Sequence, residues 1–270
     1  MAKIFYFSGT GNSYQVAKKL CMKIDDCELI KMTDEIENKI YEDDIIGIVF
    51  PVYYFGLPKV VESFLMNSDF NSNSFLFVIA TRGIPFAGGV RKQLRNCLSN
   101  KISYFQYITM GDNFNIDFWN SSSNKTKELR NRQSDAVISQ ITASINHRIA
   151  KRRFALIDFL WFITKYFPRY GYKTYLDKVY NSDDCFSVNT EACTKCHTCI
   201  TSCPVDNVRF EKKVLWMHEN CQLCLACYHC CPVNAIQYNN GHLTTKGKRQ
   251  YWNYNKNLMS TSADKATASE

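Results

Sequence analysis

Eight of the chain's 13 cysteines fall into two runs of one form, C-x2-C-x2-C-x3-C-P. The first is Cys193, Cys196, Cys199 and Cys203 before Pro204; the second is Cys221, Cys224, Cys227 and Cys231 before Pro232. Three thiolates on one tight loop and a fourth from elsewhere are the donor set that a cubane iron–sulfur cluster needs. The likeness continues past the cysteines, since Val205 matches Val233, Val208 matches Ile236 and Phe210 matches Tyr238. That is an internal duplication, each half supplying a small hairpin and a cysteine loop. Structural zinc instead uses paired C-x2-C knuckles with a longer loop between them, which triplets closed by Cys-Pro fit poorly. Pro232 favours Cys231 over Cys230 as the donor and leaves Cys230 a buried spectator. Cys21, Cys27, Cys97 and Cys185 have no partner at metal spacing and read as small hydrophobes. Four thiolates complete each site, so His197, His218 and His229 read as exposed bystanders.

A second stretch with chemical potential is Ser8-Gly9-Thr10-Gly11-Asn12-Ser13. It lies between an apolar run (Ile4 to Phe7) and apolar residues at helical spacing (Val16, Ala17, Leu20). A Walker loop would end in Gly-Lys-Ser/Thr, and a dinucleotide fingerprint would place a third glycine where Tyr14 stands. What remains is a nest for a phosphate monoester. Backbone N–H groups at a helix start, with the hydroxyls of Ser8, Thr10 and Ser13, hold an anion without a cation. The plain alternative is a tight turn with a serine cap.

The elements that would position these groups alternate along the first ~110 residues. Lys3–Phe7, Ile45–Phe50 and Phe75–Ala80 are compact apolar runs of buried-strand length, Tyr104–Met110 is a weaker one and Cys27–Ile30 a short one. Helical patterns cover Ser13–Met22, Pro58–Met66 and Gly89–Leu98. Such alternation predicts an α/β fold with a doubly wound parallel sheet, whose ligands sit at the carboxyl ends of the strands. Residues 111–124 read as a polar loop and 125–180 as mainly helical, with a boundary at Asn181-Ser182-Asp183-Asp184 before the cysteine-rich module. Asn-Gly after Tyr238 is a hairpin signal, and the last ~15 residues read as disordered. The divisions expected are therefore 1–124, 125–184, 185–242 and a tail at 243–270.

The chain carries 33 basic and 25 acidic residues, a formal charge of +8. Residues 125–180 alone hold twelve Lys or Arg against four acids, which accounts for the whole excess. This is either a solvated helical face or a docking surface for an acidic partner, where charge speeds encounter. Within it, "RRFALIDFLWFITKYFPRY" (152–170) is apolar all round. It is expected to be buried between two domains; peripheral membrane contact is the less favoured reading. No apolar run approaches the ~20 residues of a membrane span, and "MAKIFYF" does not resemble a signal peptide. The cytoplasm, where thiols stay reduced, is the expected location.

The Ser8–Ser13 turn resembles the FMN phosphate loop of the flavodoxin family, Ser/Thr-x-Thr-Gly-Asn-Ser/Thr, at all six positions. The cysteine runs resemble those of bacterial two-cluster ferredoxins, and the whole is similar to flavodoxin–ferredoxin fusion proteins of anaerobes. The resemblance implies a flavodoxin-like domain, a basic helical connector and a small α+β ferredoxin-like domain. It implies that Ser8, Thr10, Gly11, Asn12 and Ser13 hold the FMN phosphate. Two further loops would embrace the flavin ring, through Pro51, Tyr53, Tyr54, Phe55 and Gly56, and through Thr81, Arg82 and Gly83. Arg82 departs from the acidic surroundings common in flavodoxins; aimed at the flavin N1 and C2 carbonyl, it would stabilise the anionic reduced form. By the same resemblance Cys193, Cys196, Cys199 and Cys231 hold one [4Fe–4S] cluster, and Cys203, Cys221, Cys224 and Cys227 the other. No nucleophile–base pair stands out, so no catalytic residue is expected. The implied function is electron transfer among FMN, two clusters and an acidic redox partner that docks on 125–180, with no nucleic acid involved. Two alternatives stay open: an FMN-dependent oxidoreductase that reduces a small substrate, and a zinc-stabilised nucleic-acid or membrane adaptor.

Overall fold

The computed structural model describes residues 1–34, 39–84, 89–99, 101–114, 122–151, 173, 185–217 and 220–238. The apolar stretch 152–170, His218, the hairpin signal after Tyr238 and the tail lie outside the described residues. The first part of the chain runs β1 (Ala2–Tyr6), α1 (Asn12–Cys21), β2 (Cys27–Lys31), β3 (Lys39–Tyr41), β4 (Ile45–Pro51), α2 (Lys59–Met66), β5 (Ser68–Phe70), β6 (Phe75–Arg82), α3 (Val90–Leu98), β7 (Tyr104–Thr109) and α4 (Asn124–Asn146). Five strands make one parallel sheet in the order β2-β1-β4-β6-β7. Counted along that sheet the order is 2-1-3-4-5, the flavodoxin-like doubly wound arrangement, with its switch point between β1 and β4.

Alternation of side chains along each strand builds two cores. Phe5, Ile46, Ile48, Phe50, Leu76, Val78 and Ala80 face α2 and α3. Ile4, Val49, Phe77 and Ile79 face α1 and α4. Burying each large apolar side chain contributes ~1.5–3 kcal/mol. The strands lie where the apolar runs place them. The short parallel pair β3–β5 is new, because three-residue strands leave no periodic signal in the sequence.

Composition assigns α4 to the start of a connector, but the structure packs it onto the sheet. Ile138, Ile141 and Ile145 share one core with Val16 and Leu20 of α1. Ser123 caps α4 by accepting from the Thr126 N–H at 3.2 Å. The chain then returns beside β7, with Phe105 N–H donating to Lys151 O and Lys151 N–H to Ser103 O, both at 3.1 Å. The first packed unit thus extends to Lys151. One expectation is overturned: Cys21 and Cys27 are disulfide-bonded to each other rather than being small hydrophobes. The tight turn between the last residue of α1 and the first of β2 brings their Cα atoms to 5.4 Å.

The cysteine-rich module is built on two antiparallel pairs. β8 (Phe186–Val188) pairs with β11 (Ile236–Tyr238), and β9 (Val208–Phe210) pairs with β10 (Val214–Trp216). Phe186 stacks on Trp216 at 5.7 Å and meets Tyr238 edge-on at 5.6 Å. The duplication seen in the sequence is present in the backbone. Lys195 (φ 55) and His197 (φ 59) are left-handed, and so are their counterparts Leu223 (φ 49) and Leu225 (φ 61). A helical turn follows each pair, at Thr198–Thr201 and Ala226–Cys230. Among the described residues no helix is long and apolar enough to cross a membrane.

Candidate functional site

The Ser8–Ser13 turn follows β1 at its carboxyl end. Gly11 has φ 97, a conformation that glycine adopts freely, and it starts α1 with no capping side chain. The first N–H groups of α1 are therefore not consumed by a cap, and the positive end of the helix faces the turn. Thr10 and Ser13 are buried. Ser8 Oγ accepts from Gly11 N–H at 3.1 Å, and Thr10 Oγ1 accepts from the Asn113 amide. Ser13 Oγ and Thr81 Oγ1 share one hydrogen bond of 2.8 Å. A hydroxyl has one proton to give and two sites to accept. Ser8 and Thr10 accept in these bonds, so among the described residues their own protons remain to be given. The turn fits a phosphate monoester.

The two expected ring loops also meet at this end of the sheet. Pro51 pairs in register with Thr81, and Val52 N–H donates to Thr81 O at 2.8 Å. Tyr53 and Gly56 exchange both backbone hydrogen bonds, leaving Tyr54 (φ 44) and Phe55 (φ 70) left-handed at the tip. Left-handed backbone costs ~1–2 kcal/mol per non-glycine residue. It is held here by Gly89 N–H donating to Phe55 O at 2.9 Å. Gly83 lies against Asp112. Arg82 is in register with Thr109, yet its guanidinium lies 4.2 Å over the ring of Tyr107, two residues back along the sheet. The structure thus places its charge on Tyr107 rather than beyond the strand ends.

The eight cysteines gather into two groups that cross between the runs. Cys193, Cys196, Cys199 and Cys231 line one small cavity with Val188, Val214 and Ile236. Burial, and then the neighbouring Cys231, Cys196 and Cys193, push the Cys199 thiol up to about 11. Cys203, Cys221, Cys224 and Cys227 form the other group. Burial and then Cys203 push Cys221 up to about 12, and the same causes raise Cys224. Cys227 is raised chiefly by burial, with Cys224, Cys221 and Cys203 adding to it. Cys230 donates its thiol to Cys227 O at 3.3 Å and lies beside Cys199 and Cys231 as a further sulfur at the edge of the first group. Among the described residues no group of three or more His, Cys, Asp or Glu side chains is placed to hold a lone metal ion.

The groups fit a polyanionic cluster. Asn207 N–H donates to Cys203 Sγ and Ala235 N–H to Cys231 Sγ, both at 3.2 Å and at equivalent places in the repeat. Thr198 Oγ1 donates to Cys196 Sγ at 3.3 Å. Asn207 Nδ2 is buried without a hydrogen-bond partner among the described residues, and the buried Trp216 indole directs its N–H at the Cys227 thiol. Donors left over in a ring of thiols are what sulfide and thiolate acceptors would satisfy.

The flavin-side loops and the cysteine module touch. A Cβ placed on Gly9 would lie 2.6 Å from Cys224 Cβ and 2.6 Å from Tyr53 Oη. Val60 N–H donates to Gln222 Oε1 at 3.0 Å. His229 Nε2 meets Asn113 O at 2.7 Å. His197 is exposed, but His229 is 2% exposed, against the expectation of a bystander. Burial pulls it down to about 4, so the neutral ring donates to the carbonyl. Two residues of this site, Asn113 and Arg130, were not singled out from the sequence. Asn113 bridges Thr10 and His229; Asn12 Nδ2 donates to Gly111 O at 2.9 Å, holding the same loop. Arg130 of α4 donates from Nη1 to Gly83 O (2.8 Å), Met110 O (3.2 Å) and Ser122 Oγ (3.1 Å), tying the ends of two loops together. The signal available for Asn113 was its place just past the carboxyl end of a sheet strand.

Residues 186–209 match the family described as 4Fe-4S binding domain. No curated protein matches the chain. Solved structures align over about half of it. The Trp repressor binding protein of Bacillus subtilis is 13% identical over 52% of this chain and 98% of its own, with a TM-score of 0.36. The two-electron reduced flavodoxin of Megasphaera elsdenii is 18% identical over 40% of this chain and 85% of its own, with a TM-score of 0.30. The azoreductase of Bacillus anthracis is 8% identical over 54% of this chain and 100% of its own, with a TM-score of 0.35. It is the strand order that makes the first domain flavodoxin-like. The chain joins that domain to a 4Fe-4S binding domain.

Proposed function

We propose that the protein transfers electrons among an FMN, two [4Fe–4S] clusters and a redox partner protein. The observation that carries this reading is the contact between Gly9 of the phosphate turn and Cys224 of the second cysteine run. Ser8, Thr10, Gly11, Asn12 and Ser13 hold the phosphate through backbone N–H groups and hydroxyl protons. Pro51, Tyr53, Tyr54, Phe55 and Gly56 wall the flavin ring on one side, and Thr81, Arg82 and Gly83 on the other. Arg82 contributes its backbone to that wall, since its guanidinium lies over the Tyr107 ring. Cys193, Cys196, Cys199 and Cys231 ligate one cluster; Cys203, Cys221, Cys224 and Cys227 ligate the second. When bound, FMN supplies one- and two-electron chemistry and the clusters one-electron chemistry, with the protein setting distance and potential.

An acidic partner is steered by the basic segment. Lys125, Arg132 and Lys173 are exposed in it, whereas Lys127 is buried and Arg130 is engaged internally. Fewer cations are therefore left for docking than composition alone suggests. The test is anaerobic purification with metal, sulfide and flavin analysis. About eight iron, eight sulfide and one FMN per chain are expected. Colourless protein that contains zinc and no iron would overturn the reading.

A further inference from the structure

The two cysteine groups differ in where they face. Cys203, Cys221, Cys224 and Cys227 belong to the side of the module that meets the flavin loops. Cys224 sits on Gly9, Gln222 accepts from Val60 N–H, and Tyr53, Tyr54 and Phe114 pack against the module's core. Asn113 ties the same side in place, its amide on Thr10 of the phosphate turn and its carbonyl on His229, in the helical turn that carries Cys227. The other group opens outward. Cys196 is exposed, as are Thr194, Lys195 and His197 around it and Val233 beyond it on the same cavity.

Resting on the function proposed above, we infer an order for the two centres. Cys203, Cys221, Cys224 and Cys227 hold an inner centre that exchanges electrons with the flavin. Cys193, Cys196, Cys199 and Cys231 hold an outer centre, and the surface around Lys195 to His197 is where an external one-electron carrier delivers or collects charge. Electron transfer weakens steeply with separation, so the centre in contact with the phosphate turn outcompetes the one facing solvent as the flavin's neighbour. The carrier loses or gains one electron per encounter. Two encounters, with protons from water, balance each two-electron change at the flavin.

The test uses the full chain, purified without air and reduced with dithionite, with iron, sulfide and flavin measured on every sample. Two magnetic readouts locate the centres without reference to activity. A soluble dysprosium chelate speeds the relaxation of a cluster near solvent, and phosphorus hyperfine coupling in pulsed EPR marks a cluster near the FMN phosphate. In the unaltered protein, the dysprosium-insensitive signal should carry the phosphorus coupling and the sensitive signal should lack it. Cys196→Ala should lose about half the iron and keep the insensitive, phosphorus-coupled signal, while Cys224→Ala keeps the other. Phosphorus coupling on the dysprosium-sensitive signal, on both or on neither overturns the order. Should either variant fail to fold, the unaltered protein decides alone. Iron or flavin missing from the unaltered protein removes the functional reading and the order with it, whereas both present with the wrong pairing removes only the order.

Discussion

The two cysteine runs share spacing, left-handed positions and a backbone N–H on the closing sulfur, yet they occupy opposite environments. In the first, the residues between the cysteines are Thr194, Lys195, His197 and Thr198, and Lys195 and His197 are exposed. In the second they are Gln222, Leu223, Leu225 and Ala226; Leu223 is 6% exposed and Leu225 3%. Duplication preserved the geometry that presents sulfur. The intervening side chains then decided which copy turns inward. Ligand placement and burial are therefore separable properties, one belonging to the backbone and one to the residues between the ligands.

Glycine scanning of matched left-handed positions should separate them with the largest effect. At Leu225, glycine relieves ~1 kcal/mol of backbone strain but removes a buried side chain worth ~2–5 kcal/mol, so Leu225→Gly should destabilise by ~1–4 kcal/mol. At His197 the side chain is exposed and touches only the Phe210 ring among its aromatic neighbours described, at 4.8 Å. His197→Gly should therefore stabilise, by up to ~1 kcal/mol. Anaerobic guanidinium unfolding checks both. Shifts of the same sign would break the comparison.

Next in size is Gly9→Ala. The new Cβ would meet Cys224 Cβ and Tyr53 Oη at 2.6 Å, and Cys224 O at 3.0 Å. Overpacking of this kind costs ~1–3 kcal/mol. Loss is expected in the flavin's dissociation constant and in the thermal midpoint, while the outer group's iron content stays unchanged. An alanine variant that binds flavin as tightly as the parent would mean that the second run does not rest on the phosphate turn.

A smaller effect should distinguish the sulfurs themselves. Thr198 donates to Cys196 Sγ, and this hydrogen bond is the leading cause that lowers the Cys196 thiol. Its counterpart in the second run is Ala226, which has no hydroxyl. A donor to sulfur favours the more negative, reduced cluster, so Thr198→Ala should move one potential downward. A net ~0.5–1 kcal/mol for the lost bond corresponds to ~20–40 mV for one electron. Redox titration followed by EPR should show one cluster shifting and the other fixed.

What the sequence made legible follows the length and strength of its patterns. β1, β4 and β6 are near-continuous apolar runs, so their places were evident. Their alternation with helices gave a parallel, doubly wound sheet, while the order of its strands is set by pairings that no local pattern records. The stripe Ile138, Ile141 and Ile145 in α4 was equally periodic, but the count of charges around it drew the segment toward a connector. His229 was read as an exposed bystander because the thiolates left it no ligand role; only the tertiary fold supplies the Asn113 carbonyl that lets it be buried neutral. Nothing in the spacing of Cys21 and Cys27 announces a disulfide, which depends on the turn between α1 and β2. Asn113 and Arg130 act across loops that come together only when the sheet is closed.

The smallest effect tests the duplication where the two copies agree. Asp206 (φ 51) and Asn234 (φ 54) are left-handed at matched positions, and both are exposed. Each N–H points to the carbonyl of its closing cysteine, Cys203 or Cys231, at 3.4 Å. The next residue then donates to that cysteine's sulfur. Asp and Asn tolerate this conformation better than most residues, so glycine gains little here. It also enlarges the unfolded ensemble, and the net change should be only ~0.2–0.5 kcal/mol. Because neither environment nor backbone differs, Asp206→Gly and Asn234→Gly should shift the unfolding midpoint alike. A clear inequality would mean that burial alters the backbone as well as the surroundings, and the separation of ligand geometry from environment would fail at the place where it is easiest to satisfy.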